Sequence, residues 1–382
     1  MILIKLAIIV ALCFLCQMKE AALWLSVTQA VKSSEAQKCH FKDNFMKIGN
    51  NTSVLEINLN GGSITDFHLK ELPINPLNWR SRDTTMPPFM GHFLCFDRWG
   101  PPSEGEKANG LLHHGEVNTL VWDVLTEPGE INGRLTCSMT CTLPVGGLKL
   151  TRKIEMSEDE PLFFVTEEIT NLNKHGRIYN IVQHVTLGPP FLDTTTLFDN
   201  NAGRGFENKE NGSPDQEEPV LRWPEAYHDG EKISLRQFLS EWPRVSSFVF
   251  NRNDRYGWVT ACNPDKRVMI GYIWETEDYP WINFWRSMEN NTPVAFGMEF
   301  GTTGLHEPFP VLAKKARIFD RNIYDFIDAG EVITKSYTAF LAEIPDDYKG
   351  VDKIDMSGSL ITIKEMRTVS RDIMYHPADH NR

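Results

Sequence analysis

The sequence has no long tract of basic residues. Its 39 Lys and Arg are outnumbered by 51 Asp and Glu, which gives a formal net charge of −12. Nucleic-acid binding depends on Lys and Arg neutralising phosphates, so this balance argues against a nucleic-acid partner. The sequence also lacks a Gly-x-Ser-x-Gly turn, a phosphate-binding glycine loop and a dinucleotide fingerprint. These absences disfavour the enzyme classes built on those motifs, and no cofactor is predicted.

The seven cysteines show no metal-binding spacing. No Cys-x-x-Cys pair or Cys/His cluster has the spacing of a zinc site, and no metal is predicted. Cys137 and Cys141 are four residues apart in a predicted strand, where they share a face but lie too far apart to bridge each other. Buried thiols are therefore favoured, and one disulfide elsewhere stays open if the chain is exported.

The N-terminus carries a short apolar run. Residues 6–16 are apolar and follow one positive charge at Lys5, whereas a membrane span needs about 20 residues. The pattern predicts an export signal, with residues 1–36 as leader and linker. Cys13 or Cys16 could instead be lipidated as in bacterial lipoproteins, or the segment could stay as an anchor. We therefore expect an exported protein, periplasmic or membrane-attached, whose only membrane contact is this segment.

Short alternating strand patterns dominate the rest of the chain, and amphipathic helices are scarce. Hydrophobic residues make up 41% of the sequence, enough to fill a large core. The series predicts an all-β fold, a large antiparallel β-sandwich. We expect this sandwich to form one domain over residues 37–350, followed by a C-terminal strand and a polar tail over residues 351–382. The predicted strands cover residues 54–59, 119–124, 135–143, 148–156, 162–170, 178–187, 245–250, 256–262, 268–274, 281–286, 294–300, 316–319, 336–344 and 360–363.

One stretch interrupts this series. Residues 199–229 are rich in Asn, Gly, Glu, Asp and Pro, which predicts a long loop or an insertion. Long ordered loops on a β scaffold often border a binding site. A solvated excursion without function is the alternative.

Glu299 lies in a strand pattern that leaves space around its side chain. Alternation over residues 294–301 places it on one face with the alanine and glycines at positions 295, 297 and 301. A carboxylate between such small residues is accessible to a ligand. A solvent-facing glutamate on a weakened strand is the alternative, and we favour a catalytic carboxylate.

His184 lies on the polar face of another strand. Over residues 178–187 it shares that face with Asn180 and Thr186, while apolar residues form the other face. A mixed polar face is typical of a ligand cleft, and a histidine can donate or accept a proton near neutral pH. A structural histidine with satisfied hydrogen bonds is the alternative.

A third segment adds further candidates. His113, His114 and Glu116 follow a loop rich in Gly and Pro, from which an imidazole could point into a cleft. The two histidines lack the spacing that places a metal-binding pair on one helical face. Arg98 could bind a polyol through its planar guanidinium, or form an ion pair within the protein. Trp285 is predicted to contact a sugar ring through its aromatic face.

Taken in chain order, these segments resemble the galactose mutarotase-like superfamily, which includes aldose 1-epimerases and hexose-6-phosphate mutarotases. Arg98 is similar to the arginine that precedes the first histidine motif of the family. The other matches are Leu112-His113-His114-Gly115 with the Leu-His-Gly-Gly motif, Gln183-His184 with the second histidine motif, and Gly297-Met298-Glu299 with the strand of the catalytic glutamate. Glu116 replaces the second glycine of the first motif, and Val185-Thr186-Leu187 replaces a Pro-Tyr-Phe segment. The chain therefore resembles a divergent member.

The resemblance implies a β-supersandwich with its site on a concave face, and an isomerase of carbohydrate metabolism. Glu299 would remove the proton of the anomeric hydroxyl while His184 protonates the ring oxygen. The ring opens, the aldehyde rotates, and closure gives the other anomer. His114, the third catalytic residue, and Arg98 would hold hydroxyls or stabilise charge. The implied substrate is a monosaccharide or oligosaccharide.

Two other functions stay open on the same fold. One is a glycan-binding protein without turnover, which the ten tryptophans and the altered motifs favour. The other is a polysaccharide-processing enzyme such as a lyase, which would need a longer cleft and a Tyr or His base.

Overall fold

Strands make up most of the structure, as the alternating apolar residues predict. The structure is a computed structural model, and it describes residues 44–131, 134–208, 220–228, 231–238 and 245–376. The predicted leader over residues 1–36 lies outside these ranges. The strands of the N-terminal half are β1 Phe45–Gly49, β2 Ser53–Asn58, β3 Ser63–Leu69, β4 His92–Phe96, β5 Asp123–Ile131, β6 Arg134–Leu143, β7 Leu148–Met156, β8 Leu162–Asn171, β9 Arg177–Tyr179, β10 Ile181–Leu187 and β11 Leu197–Asn200.

The second half continues in the same way. Its strands are β12 Arg204–Glu207, β13 Leu221–Arg222, β14 Glu225–His228, β15 Glu231–Ser234, β16 Ser246–Val249, β17 Tyr256–Asn263, β18 Val268–Glu275, β19 Trp281–Glu289, β20 Thr292–Gly301, β21 Arg317–Ile318, β22 Arg321–Asn322, β23 Asp325–Ile327, β24 Val332–Glu343, β25 Val351–Ser357, β26 Leu360–Glu365 and β27 Ile373–Tyr375. Two short α-helices, α1 Glu104–Ala108 and α2 Phe309–Lys315, and a 3₁₀ helix at Val117–Thr119 lie between strands. None of the helices in the described ranges is long and apolar enough to cross a membrane.

Two large antiparallel sheets form the body of the protein. The larger sheet has twelve strands in the order β1-β2-β3-β4-β10-β20-β19-β16-β12-β13-β14-β15. The smaller sheet has eight strands in the order β11-β17-β18-β24-β8-β7-β6-β5. The predicted all-β antiparallel sandwich is confirmed. Strands β10 and β20, which carry His184 and Glu299, lie next to each other in the middle of the larger sheet.

The core fills the space between the two sheets. On β20, Phe296 and Phe300 point into it: Phe300 stacks on Trp274 of β18 at 4.1 Å, and Phe296 stacks on Phe198 of β11 at 3.6 Å between ring centroids. Burying one such ring contributes about 1.5–3 kcal/mol. Because side chains alternate along a strand, Glu299 points to the opposite face of the sheet. We call this face, turned away from the smaller sheet, the site face.

A polar network crosses the core directly beneath the site face. Glu167 of β8 pairs with Arg152 of β7 at 2.7 Å and accepts a 2.6 Å hydrogen bond from Gln183 Nε2. Gln183 Oε1 lies 3.0 Å from His92 Nε2. Glu167 and Gln183 are fully buried and Arg152 nearly so, and buried charges of this kind require their partners. The network therefore fixes the core side of the strand that carries His184.

Three parts of the chain before the C-terminal region differ from the sequence prediction. The predicted strand over residues 119–124 begins only at Asp123, because Trp122 is buried and its backbone N–H bonds to Leu59. The predicted strand over 316–319 shortens to β21. The predicted loop over 199–229 contains β12, β13, β14 and the end of β11, since apolar residues such as Phe206 and Leu221 are buried there. Residues 209–219 and 229 lie outside the described ranges.

The C-terminal region forms more strands than its sequence pattern predicts. Strands β25, β26 and β27 make a small antiparallel sheet where one strand is predicted. Ile354, Ile361 and Ile363 of this sheet belong to a buried cluster with Trp258 and Phe340 of the eight-stranded sheet. The small sheet thus covers the outer face of that sheet and lies on the opposite side from the site face.

Candidate active site

A row of side chains crosses the middle of the larger sheet on the site face. Phe93 of β4 is opposite His184 of β10, and His184 is opposite Glu299 of β20. Directly opposite residues of antiparallel strands place their side chains side by side on one face. This register brings His184 Nε2 to 3.0 Å from Glu299 Oε1.

Glu299 is buried, and its carboxyl group has two partners. Its side chain is 1% exposed, which excludes the solvent-facing alternative. Oε1 contacts His184, and Oε2 accepts a 2.6 Å hydrogen bond from the indole N–H of Trp99. Burial raises the pKa of Glu299 to about 8 because it disfavours the charged form, while the Trp99 hydrogen bond acts in the opposite direction.

Gly297 makes room for this carboxyl group. It lies two residues before Glu299 on the same face of β20. A Cβ atom at Gly297 would lie 2.5 Å from Glu299 Oε1, closer than real Cβ contacts come. Position 297 therefore requires glycine for a steric reason, because the carboxyl group of Glu299 folds back over it.

His184 is held on three sides. Nε2 contacts Glu299, and Nδ1 lies 2.9 Å from the hydroxyl oxygen of Thr186. The imidazole stacks on Phe93 with 4.1 Å between ring centroids. The side chain is only about 5% exposed, and burial lowers its pKa well below the ordinary value for histidine.

These two shifts describe one shared proton. Burial favours a protonated Glu299 and a neutral His184, so the pair is uncharged at neutral pH. If Nδ1–H donates to Thr186, Nε2 carries no proton and can accept the carboxyl proton of Glu299. Moving the proton across the 3.0 Å contact converts the pair into a carboxylate and an imidazolium. The arrangement can therefore take a proton from one oxygen and give one to another.

His114 lies beside this pair in a left-handed backbone conformation, with φ of 58°. Its Nδ1 accepts a hydrogen bond from the backbone N–H of Gly100 at 3.1 Å, and Cys95 Sγ lies 3.0 Å from the same nitrogen. A neutral His114 therefore carries its proton on Nε2. Its ring centroid lies 5.1 Å from that of His184, and the partly exposed ring of His113 packs against it at 4.2 Å.

Arg98 holds the loop that carries Trp99. Its guanidinium donates to the backbone carbonyls of Trp99, Pro101 and Glu307 at 2.6–2.9 Å. Arg98 is only 5% exposed, so these bonds tie the loop after β4 to the segment after β20. In the structure Arg98 thus holds the protein backbone, and its predicted contact with a polyol stays a prediction.

Gly100 completes this loop. Its φ of +87° favours glycine, and a Cβ atom there would overlap the imidazole of His306 at 1.7 Å. His306 in turn packs edge-on against the Trp99 indole with 4.8 Å between ring centroids. The indole is therefore fixed by packing as well as by its hydrogen bond to Glu299.

Aromatic side chains form the walls of the site. Trp285 of β19 is partly exposed and lies 6.4 Å from His184 between ring centroids. Trp79 packs edge-on against it at 6.1 Å, and Phe89 stacks on Phe93 at 4.8 Å. Aromatic rings of this kind pack well against apolar faces of ligands.

Glu116 lies elsewhere. Its carboxylate accepts hydrogen bonds from the backbone N–H groups of Val145 and Gly146 at 3.0 and 2.8 Å. It thus anchors the turn between β6 and β7. The structure brings the predicted residues His114, His184, Glu299 and Trp285 together and gives Glu116 a structural contact, so its contact with substrate stays a prediction.

Several site residues were not among the sequence candidates. Thr186 carries a usable signal, because it lies on the same face as His184 in the strand pattern over residues 178–187. Phe93 carries none, because residues 92–96 show no alternation of polar and apolar side chains. Trp99 carries a weaker one: it is a tryptophan next to Arg98, but it follows the end of β4, where alternation no longer predicts direction. Cys95 carries none, since a buried thiol is the usual state of a free cysteine.

Comparison with solved structures identifies the fold. No protein-family model matches the chain, and no curated protein matches it in sequence. Solved structures do match. A galactose mutarotase related enzyme from Lactobacillus acidophilus is 12% identical, with a TM-score of 0.56 over 79% of this chain and 99% of that one. A galactose mutarotase-like protein from Clostridium acetobutylicum is 11% identical, with a TM-score of 0.56 over 78% and 95%.

A third match agrees with these two. A galactose mutarotase-like protein from Lactobacillus casei is 13% identical, with a TM-score of 0.54 over 78% of this chain and 100% of that one. The likeness covers nearly the full length of each of these proteins, whereas sequence identity is low, as the altered motifs predict. The described chain has the galactose mutarotase-like fold.

Proposed function

We propose that this protein is a mutarotase that interconverts the anomers of an aldose. The observation that carries the proposal is the 3.0 Å contact between His184 and Glu299, with Trp99 bound to the second carboxyl oxygen. Anomer exchange requires one proton to leave the anomeric hydroxyl and one to reach the ring oxygen. The hydroxyl oxygen and the ring oxygen are both bonded to the anomeric carbon, so an acid and a base in direct contact can reach both of them.

The reaction follows from the two states of the pair. Proton transfer across the 3.0 Å contact first converts the neutral pair into the Glu299 carboxylate and the His184 imidazolium. The carboxylate then takes the proton of the anomeric hydroxyl, and the imidazolium gives its Nε2 proton to the ring oxygen. The bond between the anomeric carbon and the ring oxygen breaks as the carbonyl forms. The pair is then neutral, which is the state that burial favours. After rotation of the aldehyde, the reverse transfers close the ring and restore the ion pair. Each partner typically contributes about 10²–10⁴-fold.

The surroundings of the pair suit a sugar. Trp285 and Trp79 offer partly exposed aromatic faces, on which the C–H face of a pyranose can pack. His114 carries its Nε2–H beside the pair and can donate to a sugar oxygen. The mechanism needs no cofactor, because both proton transfers are supplied by side chains.

A polarimetric assay tests the proposal. Purified protein is added to freshly dissolved anomers from a panel of hexoses and pentoses, and the rate of change of optical rotation is measured. We expect acceleration for at least one sugar, reduced about 10²–10⁴-fold by Glu299→Gln. Glu289→Gln is the matched control, because it makes the same change at an exposed position of the neighbouring strand β19.

Absence of acceleration across the panel would overturn the proposal. Calorimetry on the same samples then separates the alternatives: sugar binding that survives Glu299→Gln identifies a glycan-binding protein without turnover. The aromatic walls of the site favour this second function over a lyase. Release of unsaturated products that absorb in the ultraviolet would instead identify a lyase.

A further inference from the structure

Three side chains with metal-binding atoms converge beside the proposed catalytic pair. Cys95, His114 and His184 each offer one ligand atom, and these atoms all lie within 4.8 Å of one another. Cys95 is on β4, His184 is on the neighbouring strand β10, and His114 comes from the loop that follows α1. No sequence spacing predicts such a site, because 19 residues separate Cys95 from His114 and 70 separate His114 from His184.

The chemistry of this donor set selects a class of ion. A thiolate and two imidazoles suit borderline and soft transition cations such as Zn²⁺ and Co²⁺, and do not suit Mg²⁺ or Ca²⁺. The donor set therefore favours a Zn²⁺-type cation.

A hydrogen bond already orients one of the three ligands. Thr186 holds Nδ1 of His184 at 2.9 Å, so Nε2 is the nitrogen turned toward the site. Such outer partners are what metal-binding histidines require. Three protein ligands also leave a fourth position for water or a small ligand.

Occupation by a cation requires a small rearrangement. Cys95 Sγ and His114 Nδ1 are 3.0 Å apart, whereas two such ligands of one tetrahedral ion lie about 3.5 Å apart. The ion also replaces the hydrogen bond from Gly100 to Nδ1. Cys95 Sγ and His114 Nδ1 therefore have to move apart by about 0.5 Å when the ion binds.

We propose that Cys95, His114 and His184 bind one Zn²⁺-type cation, and that the bound cation inhibits the site by taking His184 Nε2 from Glu299. Binding converts the Cys95 thiol into a metal thiolate and releases one proton to solvent. Because binding releases a proton, the affinity increases with pH.

Cobalt titration of the full-length protein tests the proposal without any sugar. Co²⁺ bound to a thiolate gives a near-ultraviolet charge-transfer band, and tetrahedral Co²⁺ gives intense visible bands. We expect one Co²⁺ per chain with both signals, displaced by Zn²⁺. Cys95→Ser should abolish the charge-transfer band, and His114→Gln and His184→Gln should each weaken binding at least tenfold.

Cys141→Ala is the matched control, because Cys141 is a buried free thiol in β6 of the other sheet. The band should survive this change. A charge-transfer band that persists in Cys95→Ser, or no band in the unaltered protein, overturns the proposal. Circular dichroism verifies that each variant is folded, and Cys95→Ala replaces Cys95→Ser if that variant does not fold. A protein that binds Co²⁺ in this way but fails the polarimetric assay keeps the metal site and loses the mutarotase proposal, together with the inhibition that rests on it.

Discussion

Trp99 donates its indole N–H to Glu299 Oε2 at 2.6 Å, on the side of the carboxyl group opposite to His184. One oxygen is thereby fixed by a donor that cannot lose its proton, and the other is left to exchange a proton with the imidazole. The indole also stabilises the charged form of Glu299 inside a buried site. It can therefore set both the direction and the acidity of the proposed base.

Trp99→Phe should move the alkaline limb of the pH–rate profile upward. The catalytic pair loses its shared proton as pH rises through the Glu299 pKa of about 8, so the rate falls above that pH. Without the indole N–H the carboxylate is less stable, and this pKa rises further. The pH dependence of mutarotation measures the shift.

Trp122→Phe is the control for this change. Trp122 is also buried, but its indole nitrogen has no hydrogen-bond partner among the described residues. The alkaline limb should stay in place in that variant. An alkaline limb at the same pH in Trp99→Phe and in the unaltered protein would show that the indole does not affect the pKa of Glu299.

Glu299→Gln should stabilise the protein at alkaline pH. The folded pKa of about 8 lies above the unfolded value of 4.5, so the folded state binds the proton more tightly. Stability is therefore fully present below the unfolded pKa and is lost as pH rises through the folded pKa. Glutamine cannot ionise, so the variant escapes this loss. Urea unfolding should show a gain of at least about 1 kcal/mol near pH 8.

The same gain should vanish near about pH 4, where both states of the wild-type carboxyl group are protonated. Glu289→Gln, at an exposed position, should show no such pH-dependent difference. A constant difference between Glu299→Gln and the unaltered protein over the whole range would contradict the raised pKa.

Gly297→Ala should lower activity while the protein stays folded. The added Cβ atom would lie 2.5 Å from Glu299 Oε1, so the carboxyl group has to move away from its present position. Because proton transfer depends on the contact with His184, we expect a loss of about 10²-fold in the maximal rate. Gly129→Ala on the edge strand β5 is the control, since its Cβ atom meets nothing closer than 3.8 Å. Unchanged activity in Gly297→Ala would mean that the observed carboxyl position is unimportant.

Glu167→Gln should destabilise the fold without touching the site face. The change removes the carboxylate that pairs with buried Arg152 at 2.7 Å. An unpaired buried charge costs about 3–5 kcal/mol, which chemical unfolding can measure. The double variant Arg152→Met with Glu167→Leu should recover much of this loss, because it removes both charges. A double variant as unstable as the single one would contradict this explanation.

The central part of the site could be predicted from the sequence because it lies on regular strands. Alternation places Glu299 beside small residues and His184 beside Thr186, and in the sheet both strands keep these faces. Gly297 shows the limit of the same reasoning: its smallness is visible in the sequence, but the carboxyl group that it accommodates is not.

The remaining site residues depend on long-range contacts that local patterns do not contain. Arg98 has the composition of a ligand-binding residue, yet the carbonyl groups that it binds include Glu307, which is 209 positions away. Glu116 similarly anchors a turn 29 residues later. Cys95 meets His114 only because a loop returns to the end of β4. Such partners become visible only when the sheet order is known.

The most direct test of the account compares the mutarotation rates of Glu299→Gln, His184→Gln and the double variant. Groups that share one proton act as a unit, so their losses do not multiply. The account predicts that each single variant loses about 10²–10⁴-fold, and that the double variant is hardly slower than either. Losses that multiply, or single variants as fast as the unaltered protein, would contradict the claim that His184 and Glu299 form one catalytic pair.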